Sequence, residues 1–152
     1  MIIRDATEDD LPEYIKLGRM FHQSCPLSDV VAFDDEGFSE FYRAAIENEN
    51  IGIWVAEDDG KIVGICSAIA YGMYFNPSSI VVQELWWWIS PDSRGAGAGA
   101  TMFKRIEQWA AEKNASALFM IALNNDDSDK VCDIYTRKGF RPMERTFFKE
   151  VV

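Results

Sequence analysis

The sequence has a single histidine, His22, and three cysteines, Cys25, Cys66 and Cys132, among its 152 residues. Structural zinc sites draw on Cys and His clustered at short spacings, and disulfide frameworks on an even, dense set, so neither is expected. His22-x-x-Cys25 is half of such a site without a second half; no metal is expected, and both residues read as structural. Basic residues are scarce too: 15 Lys and Arg stand against 25 Asp and Glu, a net charge of −10 with a pI near 4.5. Nucleic-acid binding rests on clustered Lys and Arg, so no nucleic acid is expected as a partner. No apolar run approaches the ~20 residues of a membrane span, and Met1-Ile2-Ile3-Arg4-Asp5 lacks the shape of a signal peptide. The expectation is a chain with no membrane partner, cytoplasmic and with reduced thiols.

What is present suits one folded domain over residues 1–152. A hydrophobic content of 48% with 26% charged residues argues against disorder. A chain of this length can bury roughly 70% of its unfolded surface in one core.

Taken in order, Ile2-Ile3-Arg4 reads as a short strand. Thr7 before Glu8-Asp9-Asp10 reads as a helix cap with acidic residues in the first turn. Leu11, Tyr14, Ile15, Gly18, Phe21 and His22 share one face of a helix over about 10–22, which Cys25-Pro26 ends. After a loop from Ser24 to Phe33, a second helix over about 35–49 buries Phe38, Phe41, Tyr42, Ala45 and Ile46. The period then switches. Ile53 to Glu57, the turn Asp58-Asp59-Gly60-Lys61 and Ile62 to Ala70 predict a β-hairpin. Ile80 to Ile89, after a turn at Asn76-Pro77-Ser78-Ser79, is β-prone and apolar on both faces, as expected of a central strand covered on both sides. Met102, Phe103, Ile106, Trp109 and Ala110 predict a helix to about Lys113. Ala117 to Leu123 predicts a buried strand, and residues 129–138 a short helix capped by Ser128 and stopped by Gly139. Arg141 to Val152 predicts a last strand or two. The fold class is α/β (α+β): a mixed central sheet of about six to seven strands flanked by about four helices.

Between the central strand and the third helix stands Arg94-Gly95-Ala96-Gly97-Ala98-Gly99. Glycines let the backbone approach a ligand closely, and a helix's first turn offers unpaired N–H groups with partial positive charge, so the stretch reads as an anion cradle. A P-loop is excluded, because no Gly-Lys-Ser/Thr ending follows. The dinucleotide fingerprint is formally present as Gly95-x-Gly97-x-x-Ala100. It wants an acidic residue about 20 positions on, where Met120 to Leu123 is apolar, and a tight strand-to-helix turn, where Ser90-Pro91-Asp92-Ser93 intervenes. An acyl-CoA pyrophosphate is the preferred occupant.

Ile89 to Gly99 resembles the coenzyme A loop of the GNAT superfamily of N-acetyltransferases, Arg/Gln-x-x-Gly-x-Gly/Ala, with Arg94, Gly97 and Gly99 at its fixed positions. Tyr135-x-x-x-Gly139-Phe140 resembles a second signature of that family, and the order of elements is similar over nearly the whole chain. The resemblance implies a GNAT fold and acetyl transfer from acetyl-CoA, as co-substrate, to a primary amine by direct attack in a ternary complex. It places the cofactor on Arg94, Gly95, Ala96, Gly97, Ala98 and Gly99, and the pantetheine arm on backbone groups of Trp87, Trp88 and Ile89. Where the family commonly has Asn seven residues before its tyrosine, this chain has Ser128; Asn125 is nearby but shifted, so both are candidate cofactor contacts. Tyr135 corresponds to the family's tyrosine that protonates the leaving thiolate.

Glu84 is the candidate base. It is the only carboxylate inside the apolar central strand, where burial would raise its pKa toward useful values; the alternative is that it pairs with an Arg or lies on a solvated patch. The acceptor is expected to be a small cationic amine, or a lysine or N-terminal amine of a protein. Asp29, Asp34, Asp35 and Glu36 in the loop between the first two helices would attract it, although these acids would equally start the second helix. The alternative reading is an inactive acyl-CoA-binding or protein-interaction module. A homodimer is one expectation for its assembly.

Overall fold

A computed structural model of the chain describes residues 1–95 and 97–151. Five strands, β1 (Ile2–Asp5), β2 (Ile51–Asp58), β3 (Lys61–Met73), β4 (Asn76–Ile89) and β5 (Ala117–Phe119), form one sheet in sequence order. Neighbours are antiparallel from β1 to β4, and β5 runs parallel to β4. The four α-helices are α1 (Leu11–Ser24), α2 (Asp35–Ile46), α3 (Ala98–Glu112) and α4 (Ser128–Arg137). A parallel neighbour needs a crossover, and α3 supplies the one between β4 and β5.

Both faces of the sheet are covered, which is why β4 is largely apolar from Ile80 to Ile89. On one face Trp54, Cys66, Ala68 and Val82 pack with Met102, Ile106 and Trp109 of α3. On the other Ile53, Val55 and Ile65 pack with Leu11, Tyr14 and Leu17 of α1 and Tyr42 and Ala45 of α2. Tyr14 is fully buried and polar at its tip; its hydroxyl donates to the Cys66 carbonyl at 3.1 Å and accepts from Trp86 Nε1 at 2.8 Å, as a buried phenol must to offset its desolvation. Arg4 pins the start of the chain, donating to Asp10 at 2.7 and 2.8 Å and to Glu57 at 2.8 Å. The Arg4 hydrogen bonds hold the Asp10 carboxyl below its ordinary pKa.

The β2–β3 hairpin closes with Asp59 at φ +48° and Gly60 at φ +75°, the two positive angles a type I′ turn needs. The β3–β4 connection lies earlier than the sequence suggested: Asn76 to Ser79 already belong to β4, and the tip is Tyr74-Phe75, both exposed.

The sheet has five strands among the described residues, fewer than the six or seven expected. The strand predicted over 117–123 ends at Phe119, because the next ladder donor, Ile121 N, is taken by the Glu84 carboxylate at 3.0 Å. Residues 141–151 form no ladder, and the neighbour they would need, β5, is only three residues long. At α4 the N-cap is Asp127 rather than Ser128, which is the helix's first residue. Gly139, at φ +85°, ends that helix as expected.

Candidate active site

The site is built around a fault in β4. Ser67 pairs with Trp86 and Ala68 with Glu84, leaving Leu85 without a partner of its own in β3. This β-bulge breaks the alternation that would have put Glu84, Trp86 and Trp88 on one face. Trp86 packs against Tyr14, Phe38 and Phe41, and Trp88 against Phe21, on the α1–α2 side. Trp87 packs against Phe103 and Tyr135 on the opposite side. Glu84 joins Trp87 there, at the point where β4 and β5 part.

The two candidate catalytic residues meet at one peptide unit. Glu84 accepts the Ile121 N–H at 3.0 Å, and the Tyr135 hydroxyl donates to the Ile121 carbonyl at 2.8 Å and lies within hydrogen-bonding reach of Glu84. Glu84 is 4% exposed, and no Arg or Lys pairs with it among the described residues. Burial pushes its carboxyl up to about 7, against the Ile121 and Tyr135 hydrogen bonds, which favour the charged form. Burial, and then the Glu84 charge, push the Tyr135 phenol well above its usual range. Packing on Trp87, Phe103 and Phe140 fixes the ring of Tyr135.

Past the end of β4 the chain forms a short 3₁₀ turn over Pro91–Ser93 and then the glycine loop. Gly95 and Gly97 have φ of +89° and +88°, and among the described residues nothing beyond their chain neighbours lies within 4 Å of where a Cβ would stand on either. Gly97 is the N-cap of α3, whose 15 residues direct the first-turn N–H groups of Ala98 and Gly99 toward the loop. Gly99 has a packing reason as well: a Cβ on it would stand 3.3 Å from the Trp87 ring. Ala96 lies outside the described residues. The loop therefore fits a pyrophosphate by backbone donors, as the resemblance requires.

Arg94 donates to the Ile89 carbonyl at 3.2 Å and to Asp127 at 3.2 Å, and its guanidinium lies 4.6 Å from the Trp88 ring centroid. It ties the loop to β4 and to the start of α4. Asn125 donates to the Ser24 carbonyl at 3.1 Å and accepts from Asp127 N at 3.0 Å, so its amide fastens the α1–α2 loop to the segment before α4. Ser128 N donates to the Asn125 carbonyl. Among the described residues, the indole nitrogens of Trp87 and Trp88 are buried without a partner.

Of the acids expected to form a wall that attracts a cationic acceptor, Asp34 and Asp35 are engaged locally. Asp34 caps α2 by accepting from Glu36 N at 3.1 Å, and Asp35 pairs with Arg19. His22 Nε2 lies 2.6 Å from the Val31 carbonyl.

The match that decides the family is to the sequence model of the acetyltransferase (GNAT) family, over residues 14–140. The chain belongs to the GNAT acetyltransferase family. It is an acyltransferase by that membership. Among characterised relatives, it is 26% identical over 152 residues to the thialysine N-epsilon-acetyltransferase of Bos taurus, covering 91% of this chain and 83% of that protein. It is 24% identical over 156 residues to the Sus scrofa protein of the same name, covering 94% and 85%. Among solved structures it is similar in fold to AAC(6')-Iy in complex with a bisubstrate analogue, CoA-S-monomethyl-acetylneamine (TM-score 0.77, 18% identity, 99% of this chain and 97% of that one). It also resembles a mutant of BH1408 from Bacillus halodurans (TM-score 0.82, 21% identity, 100% of both chains).

The bulge, the Ile121 junction and the Asn125–Ser24 tie were not foreseen from sequence. A strand apolar on both faces hides a change of parity, and backbone partners carry no side-chain signature.

Proposed function

We propose that the protein moves an acetyl group from acetyl-CoA to the primary amine of a small molecule by direct attack in a ternary complex. The observation that carries this reading is the meeting of Glu84 and Tyr135 at Ile121, at the parting of β4 and β5.

The glycine loop and the α3 N-terminus hold the pyrophosphate, and backbone groups of Trp87 to Ile89 hold the pantetheine arm. As the amine nitrogen bonds to the thioester carbon, Glu84, with a pKa near 7, takes the proton that nitrogen loses. The C–S bond breaks, and Tyr135 gives its proton to the departing sulfur. A buried phenol beside a carboxylate is a poor acid. Once Glu84 is protonated, the charge that held the phenol proton is gone, and the proton on Glu84 can restore the tyrosinate. Base and acid thus act as a coupled pair, each prepared by the other's step.

Binding is tested by melting. Acetyl-CoA at millimolar concentration should raise Tm, since a ligand of the folded state alone stabilises it by mass action. Gly97→Asp should abolish the shift by placing a carboxylate in the anion cradle. A wild-type shift with dinucleotides and none with acetyl-CoA would overturn the assignment of the loop.

The reading extends to assembly as a homodimer. In the 141–151 segment Met143, Phe147 and Phe148 are exposed, Phe147 to 88%, and the segment makes no ladder within its own chain. Solvated aromatics on a backbone without ladder partners suit a sheet edge of a second copy. Sedimentation should give twice the chain mass, and deletion of residues 141–152 the mass of one chain; a monomeric wild type would contradict this.

A further inference from the structure

A cavity of about 190 Å³ lies between α1, the Pro26–Asp29 turn, α2 and β4. Phe21, Leu27, Val31, Phe33, Phe38 and Trp86 form its wall, and no polar atom is presented to it. The two polar side chains near polar partners are turned away from the space: His22 toward the Val31 carbonyl, and Trp86 Nε1 toward the Tyr14 hydroxyl. Residues that pack this densely elsewhere leave room here, and the room has the chemistry of a hydrocarbon. Apolar cavities of about 150 Å³ bind benzene, so a phenyl ring or a chain of about six carbons fits.

The cavity lies on the α1–α2 side of β4 and the Glu84 side chain on the other, with Trp86 two residues along the strand from Glu84. Phe21 packs on Trp88 at 6.2 Å, and Trp88 carries Arg94 of the glycine loop. The segment from Ile121 to Asn125 joins the two places directly, since Ile121 holds Glu84 and Asn125 holds the Ser24 carbonyl at the end of α1, beside Cys25 of the cavity wall. A molecule with its apolar end in the cavity reaches Glu84 only through the gap between β4 and β5, along the segment from Ile121 to Asn125.

We infer that the cavity takes the apolar part of the acceptor, and that the substrates are amines carrying an aryl group or a medium alkyl chain rather than purely polar polyamines or amino sugars. The inference rests on the acetyl-transfer reading for the reaction and adds the class of amine. Net charge of −10 favours the approach of the ammonium form, while the hydrocarbon wall supplies discrimination. Each methylene or ring placed in such a pocket separates substrates in kcat/KM by about tenfold or more.

The test compares 2-phenylethylamine and n-hexylamine with ethanolamine and 1,3-diaminopropane, all with acetyl-CoA. The first pair should exceed the second by at least tenfold in kcat/KM. Val31→Trp, at a half-exposed position on the rim, fills the mouth. It should lower the ratio of kcat/KM for 2-phenylethylamine over ethanolamine at least tenfold, with the acetyl-CoA melting shift confirming a folded variant. Equal use of the two pairs, or an unchanged ratio in Val31→Trp, overturns the inference. Binding is also read without turnover, by quenching of tryptophan fluorescence on addition of 2-phenylethylamine. Quenching that Val31→Trp removes, with no acetylated product from any amine, would sink the acetyl-transfer reading and leave the cavity assignment standing. An acetyl-CoA melting shift with acetylation confined to polar amines would do the reverse.

Discussion

Glu84→Gln should lower kcat/KM by about a hundredfold or more, in the range of a lost general base, and should remove the limb of the pH–rate profile that rises through about 7. Gln keeps the shape and can still accept the Ile121 N–H, so the loss would reflect the proton and not the packing. Stability supplies a second readout of opposite sign. The folded-state pKa is raised above the ordinary 4.5, so between those values the folded chain binds more protons than the unfolded one. Stability from this group therefore falls as pH rises from about 4.5 through 7. Relative to wild type, Glu84→Gln should gain stability at pH 8 and little at pH 4. Unchanged activity with a flattened stability profile would leave Glu84 a buried structural carboxyl.

Tyr135→Phe should cost at least tenfold in kcat while the acetyl-CoA melting shift stays close to wild type, because the hydroxyl acts on the leaving sulfur in the transition state. The ring's packing on Trp87, Phe103 and Phe140 is kept by Phe. The lost hydrogen bond to the Ile121 carbonyl is worth about 1 kcal/mol, too little to explain a large fall in rate. Because the two groups act as a pair, the double variant should lose little more than Glu84→Gln alone. An unchanged kcat would return Tyr135 to the core.

The parts of this fold legible in the sequence are those where local chemistry and tertiary packing agree. Leu11, Tyr14 and Gly18 lie on the buried stripe of α1, Asp59-Gly60 makes the turn it spells, and Gly139 stops α4. The site was legible in its members: a lone carboxylate in an apolar strand, a tyrosine three residues before Lys138-Gly139, and glycines with positive φ. Their assembly was not legible. Leu85 is apolar like its neighbours, so nothing local marks it as the bulged residue that turns Glu84 toward Tyr135. Residues 117–123 read as one strand because all seven are apolar, yet the carboxylate of Glu84 ends the ladder from 37 residues away. The acids of the α1–α2 loop read as a field for a cation, whereas Asp34 and Asp35 spend their oxygens on a helix cap and on Arg19. The aromatic cavity beneath that loop comes from residues spread between Gly18 and Trp86, which no single period connects.

The most direct test of acetyl transfer is to incubate the purified protein with acetyl-CoA and a panel of primary amines, and to measure free thiol and acetylated amine together, the latter by mass spectrometry. Thiol and N-acetyl product should appear in equal amounts, with at least one small amine, and neither should appear with Glu84→Gln at a comparable rate. Thiol released without any acetylated amine, or the same product yield from wild type and Glu84→Gln, would contradict the account.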